Sequence, residues 1–172
     1  MLKRLFLTAK EMVVTMIITF IVIFLFALVV RVGYIPSDSM FPTLHVGDRV
    51  AGITTNIIEP EHGDIVVFEP NKDEKEEENE LWVKRLIGEP GDKVEIKHGK
   101  VYVNGNLLDE PYVKQDMDYT CTFVVPEERY FLLGDNRANS EDSRFWENPF
   151  IHLEQARYVV KVNLFPRLVF YK

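Results

Sequence analysis

The chain has 172 residues, with 20 Lys plus Arg against 27 Asp plus Glu and a net charge of −7. That is room for one ordinary domain, and the acidic balance lacks the footprint of a nucleic-acid binder. An apolar fraction of 47% excludes a wholly disordered chain, and a single cysteine, Cys121, excludes an internal disulfide framework or a cysteine-based zinc site.

The charge is unevenly spread. The first 33 residues carry a net +3 and the remaining 139 carry −10. Residues 12–30 contain no charge, and Thr15 and Thr19 are their only polar side chains. At 1.5 Å per residue this stretch makes a helix of roughly 28 Å, close to the hydrocarbon thickness of a bilayer. Threonines in such a helix can bond back to its own carbonyls. A cleaved signal peptide would have a shorter apolar run ending in a small-x-small site. Here Arg31-Val32-Gly33-Tyr34-Ile35-Pro36 follows instead. A buried core helix would carry a polar stripe, and none is present. The expected organisation is a cytoplasmic segment 1–11, a membrane-spanning helix 12–30 and an exported domain 31–172. Lys3, Arg4 and Lys10 set that orientation through the positive-inside rule.

Beyond Gly33, short β-branched and aromatic runs alternate with turn signals. Strands are predicted over 49–53, 64–69, 81–87, 93–97, 100–103, 121–125, 130–133 and 158–164, with a terminal strand over 168–171. A His98-Gly99 turn joins two of them into a hairpin, and Asn104-Gly105 makes the next tight turn. One short helical turn is expected near 153–156. The fold class is therefore mainly β, an antiparallel sheet domain behind one N-terminal helix. The stretch 71–80, NKDEKEEENE, carries −4 and reads as a solvated loop. Gly47-Asp48 and Gly63-Asp64 read as two similar turn-to-strand entries.

His45, His62, His98 and His152 are scattered, with no metal-ligand spacing, and neither HExxH nor GxSxG occurs. No metal or organic cofactor is expected. Three polar segments stand out: Ser37-Asp38-Ser39-Met40-Phe41-Pro42-Thr43-Leu44, then Lys84-Arg85-Leu86-Ile87-Gly88-Glu89-Pro90-Gly91-Asp92, then Gly134-Asp135-Asn136-Arg137-Ala138-Asn139-Ser140-Glu141-Asp142-Ser143-Arg144. Each alone is compatible with a capped or hydrogen-bonded turn, and composition does not choose between that and an active site.

Their order behind one apolar anchor resembles the bacterial type I signal peptidases, membrane-anchored serine–lysine endopeptidases that remove signal peptides from exported proteins. The resemblance implies a catalytic domain of antiparallel sheets. It implies Ser39 as nucleophile, Lys84 as general base, and the Ser37 hydroxyl with the Ser39 N–H as oxyanion donors. Ser140 would orient the lysine, and Asp142 with Arg144 would support it. Ala138 departs from the pattern, since many relatives have Asp there. Partners would be preproteins with signal peptides and the lipid bilayer. Small residues are implied at the −1 and −3 positions of the cleavage site; Ile35, Met40 and Val83 are candidates for a shallow apolar wall against them, and fit equally as plain core.

A lysine acts as a base only when neutral, and a free one is charged at neutral pH. Lys84 is therefore expected to be buried against apolar groups such as Trp82, Val83, Met40 and Ile35, with a hydrogen bond from Ser140 and with Asp142 facing Arg144. Two other readings remain: a soluble, self-cleaving serine–lysine protease of the repressor type, and a membrane-anchored β module that binds or scaffolds without catalysis. The apolar anchor disfavours the first, and the intact Ser39 and Lys84 disfavour the second.

Overall fold

A computed structural model describes residues 2–72, 74, 80–115 and 118–171. Helix α1 (Leu2–Val29) contains a 21-residue window, Ala9–Val29, long and apolar enough to cross a membrane, and none of that window is buried within the chain. The unpacked surface is what distinguishes it from a core helix. Thr15 Oγ1 donates back to the Glu11 carbonyl at 2.9 Å, as expected of a threonine in an apolar helix.

The helix runs directly into strand β1 (Val30–Tyr34), which the sequence did not announce. It pairs with β2 (Arg49–Thr54), Val30 opposite Ile53 and Tyr34 opposite Arg49. The other main-sheet strands are β3 (Ile65–Phe68), β4 (Trp82–Gly88), β9 (Arg129–Leu133), β10 (Ile151–His152), β11 (Ala156–Phe165) and β12 (Val169–Phe170). Among the described residues the sheet runs β1-β2-β11-β3-β4-β9-β10, with β12 also paired to β11. A smaller sheet runs β7-β6-β5-β8, built from β5 (Lys93–Lys97), β6 (Lys100–Val103), β7 (Asn106–Leu107) and β8 (Cys121–Val124). All these ladders are antiparallel. The predicted strands fall on observed ones, and the turn near 153–156 is a 3-10 helix over Leu153–Gln155. Of the acidic stretch 71–80, residues 73 and 75–79 lie outside the described residues.

Strand β3 (IVVF) is buried on both faces and separates two clusters. Ile65 and Val67 pack with Ile35, Met40, Leu44 and Val83, while Val66 and Phe68 pack with Leu86, Tyr130 and Trp146. The second sheet is fastened by Val94, Ile96 and Val101 against Ile87, Phe131 and Leu133. The Gly-Asp entries share one turn, used a third time at Gly91-Asp92. In each, the Asp N–H donates to the carbonyl three residues back and its carboxylate accepts that residue's N–H. The glycines sit at φ +93°, +87° and +85°, where a side chain would be strained. These turns set the starts of β2, β3 and β5, and β2 and β3 flank the chemistry described next.

Candidate active site

Three segments meet at one end of the main sheet. Ser39 lies in the irregular loop between β1 and β2, Lys84 in the middle of β4, and residues 134–144 follow β9. In β4, Lys84 is directly opposite Val66 of β3, so its stem leaves the sheet on the face that buries Val66, Leu86 and Trp146. Only 5% of Lys84 is exposed. Its ammonium donates to Ser39 Oγ at 2.9 Å and lies 5.8 Å from the centre of the Trp82 ring. Ser37 Oγ is 3.4 Å from Ser39 Oγ.

Burial pushes the Lys84 ammonium from its ordinary 10.5 down to about 8. The Asp142 and Glu141 carboxylates pull it partly back, and the Arg144 guanidinium adds to the lowering. Asp142 is fully buried, and its charge is largely engaged by Arg144, whose Nε and Nη2 donate to it at 2.8 and 2.9 Å. This is the expected division: the carboxylate faces the arginine rather than the lysine. Glu141 is held above the usual carboxylate range by burial, then by Asp142 and Glu74.

The apolar surroundings differ in detail from the expectation. Trp82 does stand over Lys84. Ile35 and Met40, 2% and 0% exposed, are part of the packed core with Leu44 and Val50 and do not line the cleft. Only Val83 of the three wall candidates lines it. A cleft of about 870 Å³ opens on the dyad, lined also by Pro36, Asp38, Leu81, Trp82, Asn139 and Phe145. Ala138 sits on its rim.

Ser140 also departs from the expectation. It lines the same cleft, yet its buried hydroxyl has no hydrogen-bond partner among the described residues, Lys84 included. The side chain fills the space over Gly134 where a Cβ would stand: that atom would meet Ser140 Oγ at 2.0 Å and the Ser39 carbonyl oxygen at 2.6 Å. Gly134 thus lets the 134–140 segment close on the nucleophile loop. Gly134→Ala is expected to cut turnover about 10–100-fold by separating the two segments, with a stability loss of about 1–3 kcal/mol. Kinetics alongside thermal melts check this, and unaltered turnover would remove the close approach from the explanation.

Several supporting residues were not singled out from the sequence. Arg85, next to Lys84 but on the other face of β4, donates from Nε and Nη2 to Asp135 at 2.8 and 2.6 Å, and from Nη1 to the Gly63 carbonyl. Asp135 in turn accepts from Thr43 Oγ1, tying the nucleophile loop to β4. The Tyr112 ring covers the Arg85 guanidinium at 3.9 Å, and Glu110 pairs with the buried Arg137. These partners come from 22 to 92 residues apart, so only the fold brings them together.

This constellation can be compared with known proteins. The family described as signal peptidase, peptidase S26, matches residues 8–164. The chain belongs to the signal peptidase, peptidase S26 family. It is 44% identical over 124 residues to a signal peptidase I of Leptolyngbya laminosa, covering 69% of this chain and 61% of that one. It is 39% identical over 158 residues to signal peptidase IB of Staphylococcus aureus, covering 78% of each. A Synechocystis protein named "Probable signal peptidase I-2" is 45% identical over 122 residues, and the chain spans 56% of its length. In this family member Ser39 and Lys84 are in contact and line an open cleft. A smaller groove of about 450 Å³, lined by Thr54, Tyr130 and Arg157, includes neither Ser39 nor Lys84.

Proposed function

We propose that the chain is a type I signal peptidase, a serine endopeptidase that cleaves N-terminal signal peptides from exported preproteins at the outer surface of the membrane. The observation that carries this reading is the 2.9 Å contact between Ser39 Oγ and a lysine whose burial lowers its pKa to about 8. A serine hydroxyl is a weak nucleophile until a base takes its proton. Neutral Lys84 takes it, and Ser39 attacks the scissile carbonyl. The Ser39 N–H and the Ser37 hydroxyl then stabilise the oxyanion. The lysinium protonates the leaving amine, and a water activated by Lys84 releases the acyl group. Asp142 and Arg144 hold the 134–144 segment beneath the lysine. Ser140 borders the site, where its hydroxyl would orient Lys84.

The small residues at positions −1 and −3 would lie against Val83, Pro36 and Trp82 rather than against Ile35 or Met40. The segment 1–11 is assigned to the cytoplasm, residues 12–30 to the bilayer and 31–172 to the outside. The sheet next to α1 supports its contact with the bilayer, and the basic residues Lys3, Arg4 and Lys10 support the orientation. Register puts Val32 in line with Phe170 and Tyr34 in line with Phe165, on one face. All four side chains are exposed, an apolar surface continuous with the helix.

Cleavage of a purified preprotein with an Ala-x-Ala site, in detergent or lipid, tests the reading. The parent chain is expected to release the mature protein and Ser39→Ala to release none. An inactive parent would favour a membrane-anchored binding module, and an active Ser39→Ala would remove Ser39 as nucleophile. The pH dependence has a defined sign. At pH 7 about a tenth of Lys84 is neutral, so kcat/KM should rise with pH and level off above about 8. A profile flat from pH 6 to 9 would exclude Lys84 as the base.

A further inference from the structure

The loop that carries Ser39 is gripped from two directions. One grip is the 134–139 segment: the Asn136 N–H donates to the Ser39 carbonyl at 3.0 Å, and the Asn136 and Asn139 side chains donate to Asp38. The other grip comes from the far end of β11. That strand turns at 166–168 and returns as β12, with Asn163 opposite Val169 and Val162 opposite Phe170. The Tyr171 N–H donates to the Lys161 carbonyl at 2.8 Å, which extends the hairpin by one residue.

Two side chains of this hairpin reach the nucleophile loop. The Tyr171 hydroxyl donates to the Thr43 carbonyl at 3.1 Å, and its ring packs on the cluster that holds Met40 and Leu44. Arg167 Nη2 lies 2.5 Å from His45 Nδ1 and 3.8 Å from the Asp48 carboxylate. Asp48 is 1% exposed and also accepts from the His45 N–H and from Asn163 of β11. Thr43 is therefore fixed at both polar ends: its hydroxyl bonds Asp135 and its carbonyl accepts from Tyr171. Residues 165–171 lie outside the 8–164 stretch that the family matches.

We propose that the hairpin 164–171 is a clamp on the nucleophile loop, with Tyr171 and Arg167 as positioning residues that keep Ser39 within reach of Lys84. Neither touches the dyad. Their effect passes through Thr43, His45 and Asp48 to the turn Ser39–Leu44, which is closed by the Leu44 N–H on the Met40 carbonyl. A nucleophile moved by about 1 Å can lose about 10²-fold in rate while substrate binding is unaltered. The clamp should therefore appear in turnover and in serine reactivity, not in KM. This inference rests on Ser39 and Lys84 being the reactive pair.

Tyr171→Phe removes one oxygen and keeps the ring on the core, so it tests the clamp with little cost to folding. The full chain in detergent would be assayed three ways: covalent labelling of Ser39 by a fluorophosphonate, kcat and KM on a preprotein, and thermal melting. Tyr171→Phe and Arg167→Met are each expected to slow labelling and kcat about 5–20-fold, with KM within about twofold. Arg167→Lys, which keeps a donor toward His45, should regain part of the loss. Labelling and kcat within twofold of the parent in both variants would overturn the clamp. So would losses that merely follow a lowered melting point. A parent that labels but leaves the preprotein intact would sink the substrate reading, and the labelling comparison would still decide the clamp.

Discussion

Lys84→Met is expected to abolish cleavage and, at the same time, to make the chain more stable at pH 7. The loss of activity follows from removing the base, and about 10³-fold or more should go. The gain in stability follows from the same burial that makes the lysine useful. In the unfolded chain Lys84 titrates at its ordinary 10.5, and in the folded chain at about 8. Between those values the unfolded chain holds the proton and the folded chain does not. Stability therefore rises with pH across that window and is lost as pH falls through about 8. At pH 7 the folded chain carries a buried cation at a cost of about 3 kcal/mol. A methionine of similar reach has no charge to bury. The gain expected at pH 7 is about 1–3 kcal/mol, since the contact with Ser39 and the attraction of Asp142 are lost as well. In melting temperature this is roughly 3–10 °C. The gain should vanish above about pH 11, where both states of the parent are mostly neutral. A variant less stable than the parent at pH 7 would mean that Lys84 is not held against its charge.

Asp142→Ala should have the largest effect on stability. Asp142 is fully buried and accepts the Gly134 N–H at 2.9 Å as well as the two Arg144 bonds. Arg144 is also buried, lies 4.8 Å from the Phe145 ring centre and donates to the Arg137 carbonyl at 2.9 Å. Removing the carboxylate takes two charge-assisted bonds from a buried guanidinium and the acceptor from the Gly134 N–H. The expected cost is about 3–5 kcal/mol, a fall of roughly 10 °C or more in melting temperature. Arg144→Met added to Asp142→Ala should recover part of it, because no buried guanidinium then lacks the bonds to Asp142. Asp142 also raises the Lys84 pKa, so the surviving activity of Asp142→Ala should extend to lower pH than the parent's. A loss under about 1 kcal/mol in denaturant titrations would mean that the pair is solvated and does not hold the 134–144 segment.

The strands flanking the site were legible because their signals are local. The runs 93–97 and 100–103 around His98-Gly99 coincide with the observed hairpin β5–β6, and β4 starts within one residue of its expectation. Strand β1 was not legible. Val30–Tyr34 continues an apolar run, and only the distant pairing with β2 makes it a strand. The two-residue strands β7 and β10 are too short to leave a periodic trace. At the site, Ser39 and Lys84 came from motif wording, and their contact across 45 residues is a product of the fold. Ile35 and Met40 could be read as wall or as core, because closeness to Ser39 in sequence says nothing about direction, and both lie in the core. Met40 points into the core while Ser39 faces Lys84. The bridges from Thr43 to Asp135 and from Tyr171 to Thr43 span 92 and 128 residues, and no spacing rule could propose them.

Everything in the proposed chemistry depends on a neutral lysine within reach of Ser39. Titration of the free, folded chain with ¹³C-labelled lysine, followed at Cε by NMR and assigned by loss of the signal in Lys84→Met, reads that property directly. A Lys84 midpoint near 8 is expected, well apart from the exposed lysines. A midpoint at about 10 or above, the ordinary value for a lysine, would contradict a serine protease driven by Lys84.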